Sequence, residues 1–396
     1  MIDPALLRAD ARRQLDFFAA SLQPDGRFAT LAPDGRPLPD TPQELHTTTR
    51  LVHAYALGQA LGWPGADRLI DAGMQALWTG HRDPDNGGFF WSFGRSGAAD
   101  ATKLAYGHVF VLLAAASARQ VGHPGADRLL DEADALLSRH FWEDGPGLFA
   151  DEFRRDWQPF STYRGMNANM HGVEALLAAY EATGRDHFRT RAGRILDFFV
   201  TRMAPAHGWR LPEHYTANWQ VDPSYRGNPM FRPAGTTPGH SLEMARLAIQ
   251  HWDLSGRPDD ATPARARALI QTALADAWLP QGGLAYTLGD GGQVARPDRY
   301  WWPVAEALGA LAVLHRVDAQ PQDAVWTARL WDFATTHLID HIRGGWYPEL
   351  DPAGHPADGQ FQGKPDIYHS LQAVLIPLVR GVSRLFDGVR AISGAG

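Results

Sequence analysis

The chain has 396 residues, 44% of them hydrophobic, and a formal net charge of -7 with no run of Lys or Arg, so a disordered chain and a nucleic-acid binder are both excluded. It contains no cysteine, which removes disulfides, thiolate zinc sites and cysteine nucleophiles from consideration. Met1–Phe17 carries Asp3, Arg8, Asp10, Arg12 and Arg13 where a secretory signal would be apolar, and no apolar run has the length of a membrane span, so a cytoplasmic address is expected.

In chain order, the first predicted element is a charged amphipathic helix over Ala5–Leu22. It is followed by Gly26-Arg27-Phe28 and then by Gln43–Leu61, a segment richer in small and apolar residues. The same unit recurs as Ala66–Gly80, Gly88-Phe89 and Thr102–Val121, then as Ala126–Phe141, Gly147-Leu148-Phe149 and Asn167–Thr183. It continues as His187–Met203, Gly208-Trp209 and Gly239–Leu254, then Pro263–Leu279, Gly283-Leu284 and Tyr300–Val317, and ends with Asp323–Ile342, Gly345-Trp346 and Ile367–Leu385. Most steps between the glycine marks are about 60 residues, the signature of a repeated helix pair.

An amphipathic helix can face water, whereas an apolar one must be covered on most sides. The alternation therefore predicts an all-α fold, an (α/α)6 barrel of six outer helices around six inner ones, forming one domain over residues 1–396. Phe89–Phe93, Trp209–His214 and Ala285–Leu288 alternate apolar with polar and are expected to be short β-hairpins at the barrel mouth. Tyr215–Pro238 lacks helical periodicity and is expected to be a lid-like loop.

Polar and ionisable residues gather where the inner segments begin: Arg50; Lys103, Tyr106 and His108; Asn167, His171 and Glu174; His240 and Glu243; Trp301, Trp302 and Glu306; Tyr368, His369 and Gln372. In an alternating barrel all inner helices point one way, so these first turns converge on one mouth, with helix N-termini favouring negative charge there. His240 and Glu243 are spaced i, i+3, as a carboxylate orienting an imidazole requires. Taken singly each residue has a plainer reading: a hydrogen-bonded core histidine, a packed Trp pair, or Arg50 paired with Glu44 or another inner carboxylate. The coincidence on every inner helix favours a site. His46, His53, His81, His123, His251, His315, His337, His341 and His355 are scattered and read as surface residues. No His-x-x-x-His or His-Glu-x-x-His pattern occurs on these inner segments, and no phosphate loop, dinucleotide fingerprint or Gly-x-Ser-x-Gly elbow is present, so neither a metal nor a cofactor is expected. The 14 Trp, 10 Tyr and 18 Phe suit sugar stacking and helical cores equally.

Three segments carry a family resemblance: Arg164-Gly-Met-Asn-Ala-Asn-Met-His171-Gly-Val-Glu174, Phe231-Arg232-Pro-Ala-Gly-Thr-Thr-Pro-Gly-His240-Ser-Leu-Glu243, and Gly363-Lys-Pro-Asp-Ile-Tyr368-His369-Ser-Leu-Gln372. They resemble the N-acylglucosamine 2-epimerase superfamily, specifically its aldose–ketose isomerase branch, which includes D-mannose and sulfoquinovose isomerases. Thr49-Arg50-Leu-Val-His and Trp301-Trp302-Pro-Val-Ala-Glu306 match further family segments in the same order. The resemblance implies metal-free isomerisation through an enediol, with His240 and His369 as acid and base. It implies that His369 shuttles the C1/C2 proton and that His240, oriented by Glu243, assists ring opening. Arg50, Asn167 and His171 would hold O1 and O2, and Tyr106, Arg232, Trp301, Trp302 and Glu306 the rest of the sugar.

D-mannose to D-fructose is the expected reaction, with a monosaccharide as the partner of a monomer or homodimer. Behind it stand a 2-epimerase of the N-acylglucosamine or cellobiose type, and a sulfoquinovose isomerase in which Arg232 or Lys364 would meet the sulfonate. A glycoside hydrolase using Glu174, Glu243 or Glu306, and a non-catalytic sugar-binding protein, are the readings from other classes.

Overall fold

The computed structural model describes residues 2–39, 41–228 and 232–394. Among them, six helices form the outer layer: α1 (Pro4–Phe18), α3 (Ala66–Ala76), α5 (Ala126–Leu136), α7 (Asp186–Leu196), α10 (Thr262–Ala277) and α12 (Pro321–Phe333). The inner layer is α2 (Leu45–Ala60), α4 (Ala105–Gln120), α6 (Met166–Thr183), α9 (Pro238–Leu254), α11 (Trp301–Val317) and α13 (Tyr368–Leu378). Each inner helix packs on the next and on an outer neighbour, and α13 returns to α2, so the ring closes as an (α/α)6 barrel. Among the described residues no helix is long and apolar enough to cross a membrane.

Two departures from the expected boundaries have local causes. Pro377 stands in the last turn of α13 and ends it at Leu378, so the expected helix over Ile367–Leu385 is instead α13, a break, and a separate α14 (Leu385–Ser393). That last helix packs across α2 and α13, where the ring closes. The fourth glycine mark differs from the others: α7, like α3, α5 and α12, runs on into a π-helical stretch, here to Met203, but a further turn, α8 (Ala204–Ala206), then precedes Gly208.

The other five marks share one construction. The chain leaves the outer helix and folds back on a tight turn, so that the apolar residue after glycine pairs with the helix exit: Leu22 with Phe28, Arg82 with Phe89, Trp142 with Phe149, Trp278 with Leu284 and Ile339 with Trp346. In three repeats the following inner segment ties this turn down. Phe28 N donates to Gln43 Oε1 at 2.8 Å, Phe89 N to His108 Nε2 at 3.1 Å, and Phe149 N to Asn169 Oδ1 at 2.8 Å.

A collar of short antiparallel links then joins each inner-helix entrance to the hairpin of another repeat. Gln43–Glu44 pairs with Ser92–Phe93, Lys103–Leu104 with Glu152–Phe153, and Arg164–Gly165 with His214–Tyr215. Thr236 pairs with Leu288, Arg299–Tyr300 with Glu349–Leu350, and Lys364 closes the circle on Leu31. The expected hairpins thus exist in shorter form. Gly235 permits one of these links: its φ is +91°, and a Cβ there would lie 2.2 Å from the Leu288 carbonyl oxygen. Helix entrances gain as well, since Leu45, Ala105, Met166 and Trp301 donate otherwise orphaned amides to the carbonyls of Trp91, Asp151, Glu213 and Pro348.

The expected lid-like segment Tyr215–Pro238 begins in this collar and ends where α9 begins, with Pro229–Phe231 lying outside the described residues. Tyr215 turns back to pair with Val221, His214 Nε2 meets the Pro233 carbonyl at 2.7 Å, and Arg232 pairs with Glu152 at 2.8 Å.

Asn169 offers a test of the tied turns. It is fully buried and also donates to the Phe149 and Gly165 carbonyls at 3.1 and 2.9 Å. Asn169→Ala is expected to cost about 2–3 kcal/mol, since it leaves the buried Phe149 amide unpaired. Chemical denaturation of the variant measures it, and a loss below about 0.5 kcal/mol would mean that the turn is held by packing alone.

Candidate active site

The collar determines which side chains meet at the mouth. His240 stands in the first turn of α9, and its Nδ1 lies 3.0 Å from both carboxylate oxygens of Glu213. Glu213 is itself held, because its carbonyl accepts the Met166 amide and its carboxylate accepts the Thr237 amide at 3.2 Å. His369, in the first turn of α13, has its Nδ1 2.8 Å from Glu306 Oε1. In each imidazole a carboxylate at Nδ1 selects the Nδ1–H tautomer and leaves Nε2 with a lone pair.

Trp302 lies against both rings, with centroid separations of 5.1 Å to His240 and 5.8 Å to His369. It fits there because residue 239 is glycine: a Cβ at Gly239 would come within 2.2 Å of the indole. Trp301 meets the His369 ring edge-on at 6.2 Å and Phe361 at 5.1 Å.

A third imidazole, His171, lies 6.4 Å from His369 between ring centroids and packs on Tyr106 and Phe110. Arg50 donates to Asp366 at 2.7 Å and to the Tyr106 hydroxyl at 2.9 Å, with its guanidinium over the Phe110 and Tyr368 rings. His46 stacks on Trp91 at 5.0 Å, beside Tyr106. Several buried polar atoms in this region have no hydrogen-bond partner among the described residues: Asn167 Oδ1, His171 Nδ1, Glu243 Oε2, Thr237 Oγ1, Arg50 Nε and His46 Nδ1. Leaving such groups unpaired is costly, and a polyhydroxylated molecule supplies the donors and acceptors they lack.

Below this level lies a cluster of charge. Arg246, on α9, gives two N–H groups to Glu306 Oε2 at 3.2 and 3.0 Å, and approaches Glu243 at 3.5 Å and Glu174 at 3.9 Å. Burial alone would raise Glu306, but Arg246 and His369 outweigh it and hold this carboxyl below the ordinary range. Burial and the neighbouring Glu306 charge push Glu243 well up. Burial, helped by Arg50, drives His171 well down, so its imidazole is neutral.

Several expectations need correcting. Glu243 does not orient His240: it points down the helix toward Arg246 and His171, and Glu213 takes the role. Glu306 is not free to hold sugar, since its two oxygens serve His369 and Arg246. Arg50 is paired, as its plainer reading allowed, with an inner carboxylate other than Glu44, namely Asp366. Arg232 is bound to Glu152 over the Tyr163 ring. Lys103 is buried on Asp83 and the Gly87 carbonyl, and Lys364 likewise on Asp340 and the Gly344 carbonyl, so both brace turns. His108 is the core histidine of the plainer reading, spanning the Leu104 carbonyl and the Phe89 amide. Tyr368 and Gln372 donate to Glu174 beneath the site. Among histidines read as surface residues, His53 and His81 are buried and His46 faces the site.

The residues missed were Glu213, Arg246 and Trp91. Arg246 carried a signal, because a Glu-x-x-Arg pair in the apolar stretch Leu242–Ile249 cannot be left unpaired. Glu213 and Trp91 occupy equivalent collar positions in different repeats, visible only once the repeats are aligned through their links.

Two groups, His171 with Glu174 and Glu243, and Glu243 with Glu306 and His369, bring their ligand atoms within 4.8 Å of one another, as a cation site would. The charge of both is met by the Arg246 guanidinium.

The chain is similar to known proteins along most of its length. The profile of the N-acylglucosamine 2-epimerase (GlcNAc 2-epimerase) family matches residues 26–373. A D-mannose isomerase of Thermobifida fusca is 44% identical over 386 residues, 95% of this chain and 94% of that one. Another, from Pseudomonas cannabina pv. alisalensis, is 35% identical and covers 94% of this chain and 92% of its own. A crystal structure of a D-mannose isomerase superposes with a TM-score of 0.88 at 32% identity, covering 94% of this chain and 97% of that one.

The rim of the site has a pH signature of its own. Asp151 is buried next to Arg232 and accepts the Gly165 amide at 2.7 Å, yet burial outweighs both and raises its pKa to about 7. A raised carboxyl costs stability once it must ionise, so the cost is absent below about pH 4 and grows as pH rises to about 7. Asp151→Asn is therefore expected to gain up to a few kcal/mol over the parent at pH 8 and nothing at pH 4. Thermal melts at the two pH values measure this, and an equal effect at both would refute the assignment.

Proposed function

The chain belongs to the N-acylglucosamine 2-epimerase family and is a sugar isomerase, and we propose that it interconverts D-mannose and D-fructose by proton transfer between His369 and the opened sugar. The observation that carries this is the pair of imidazoles flanking Trp302, each with a carboxylate on Nδ1 and Nε2 left for chemistry. Ring opening needs a base at O1 and an acid at O5, and His240 with Glu213 serves there. His369 then takes the C2 proton. Negative charge develops on O1, where Arg50, His171 and Asn167 receive it together with the helix N-termini. Returning the proton to C1, while the O2 proton passes to O1, leaves the carbonyl at C2 and gives the ketose. Trp301, Trp302, Tyr106, His46 and Trp91 offer ring faces and edges to the remaining carbons. The reading includes a cytoplasmic address and a monomer or homodimer.

The rivals fit less well. A sulfonate would need an uncommitted cation, and Lys364 and Arg232 are both ion-paired. A glycosidase needs two carboxylates facing each other across a bond, whereas Glu174, Glu243 and Glu306 converge on one guanidinium.

Proton NMR of the protein incubated with D-mannose in D2O with EDTA tests the reading. Fructose is the expected product; glucose forming at a comparable rate would instead indicate epimerisation, and an unchanged mannose spectrum would sink the assignment. His369→Ala is expected to lower turnover by about 10²- to 10⁴-fold while the far-UV circular dichroism stays that of the parent.

A further inference from the structure

One charged group in the barrel has no part in this proton traffic. Arg246 is 1% exposed, lies six residues after His240 on α9, and makes none of its contacts with the mouth. Its Nη1 reaches Gln250 Oε1 at 3.3 Å, and its other nitrogens face three carboxylates from three inner helices. The distances rank them. Glu306 receives two N–H groups at 3.0 and 3.2 Å, Glu243 one at 3.5 Å, and Glu174 stands at 3.9 Å.

We propose that Arg246 is a positioning residue for the isomerisation: by gripping one oxygen of Glu306 it presents the other to His369 Nδ1, so that Nε2 points at the sugar. This rests on the reading of His369 as the proton shuttle. Two donors on Glu306 Oε2 hold the plane of the carboxylate and so fix where Oε1 stands to accept from His369 Nδ1. A side chain retained only to fill space would be better apolar, because a buried ion cluster is no more stable than well-packed hydrocarbon of the same volume. The cluster also spans α6, α9 and α11, and Tyr368 and Gln372 of α13 close it through Glu174. An arginine that sets Glu306 therefore sets it relative to the helix that carries His369. Its effect belongs to orientation and hence to turnover, whereas the mouth residues that would bind sugar keep their places.

Arg246→Met and Arg246→Lys, each in the full chain, test this by steady-state kinetics on D-mannose and by long-range 1H–15N spectra of the histidine rings. In Arg246→Met, kcat is expected to fall about 10²-fold with KM within about threefold of the parent, as for a misplaced catalytic group. The His369 Nδ1–H signal should weaken in favour of the other tautomer. Arg246→Lys, which keeps the charge but not the fork, should recover about tenfold of the lost kcat and stay below the parent. Parent-like kcat in Arg246→Met, a KM rise that accounts for the whole loss, or an unaltered His369 tautomer would each overturn the proposal. If Arg246→Met does not fold, Arg246→Lys decides: a lower kcat at unchanged KM supports the role, and parental kcat refutes it. Should the parent itself leave mannose untouched, the functional reading fails separately, and the tautomer spectra of the two variants still judge whether Arg246 sets His369.

Discussion

Three carboxylates buried on the axis of a helical barrel repel one another and have lost their water, so the rest of the site depends on the one guanidinium between them. Arg246 leaves each carboxylate in a different condition. Glu306, doubly hydrogen-bonded, is held ionised; Glu243, reached only at 3.5 Å and crowded by that charge, is pushed toward its neutral form. Environments that drive neighbouring carboxyls apart are how one protein keeps a charged orienter and a neutral donor at the same pH. Glu174 takes a third path, satisfied by Tyr368 and Gln372.

The collar is the second constraint, and it explains why the site lies at this end of the barrel. Inner helices are apolar cylinders that could slide against one another at little cost. Each entrance is instead pinned to another repeat, four of them by two backbone pairs and those of α9 and α13 by one, and four of the first amides are satisfied there. The helix starts are therefore held level, with their partial positive charge directed at one volume. Residues just outside the helices become site residues for the same reason: the Glu213 carbonyl is a collar acceptor while its carboxylate meets His240.

The amino-acid sequence showed the barrel through its repeat, because alternation between amphipathic and apolar helices is a burial pattern and burial is what sequence records best. Helix boundaries followed except where a proline or an added turn altered them, as at Pro377 and at α8. His240, His369, His171 and Arg50 could be named from helix starts alone. Their partners could not. An i, i+3 spacing puts His240 and Glu243 on one stripe, but Cβ vectors in a helix lean toward its N-terminus and leave a choice of neighbours, and Glu243 takes Arg246 and His171 instead. Glu213 lies 27 residues from His240 in a hairpin, and nothing local connects them. Lys103 and His108 mark the opposite error: polar residues at the right level whose side chains turn outward to hold the glycine turns.

The two histidines are supported from different parts of the molecule. Glu306 belongs to an inner helix and to the axial ion cluster, so the carboxylate that orients His369 moves only if the barrel core moves. Glu213 belongs to the collar, next to His214, whose ring meets both the Tyr163 hydroxyl and the Pro233 carbonyl of the segment leading into α9. A displacement of that segment reaches His240 by hydrogen bonds through Thr237 and Glu213, and reaches His369 by ring packing through Trp302. Ring opening and carbon-proton transfer need different geometries of the same sugar, first cyclic and then extended. Under the proposed roles, the carbon-directed imidazole takes its carboxylate from the axis and the oxygen-directed one from the rim, so each is oriented by a separate partner.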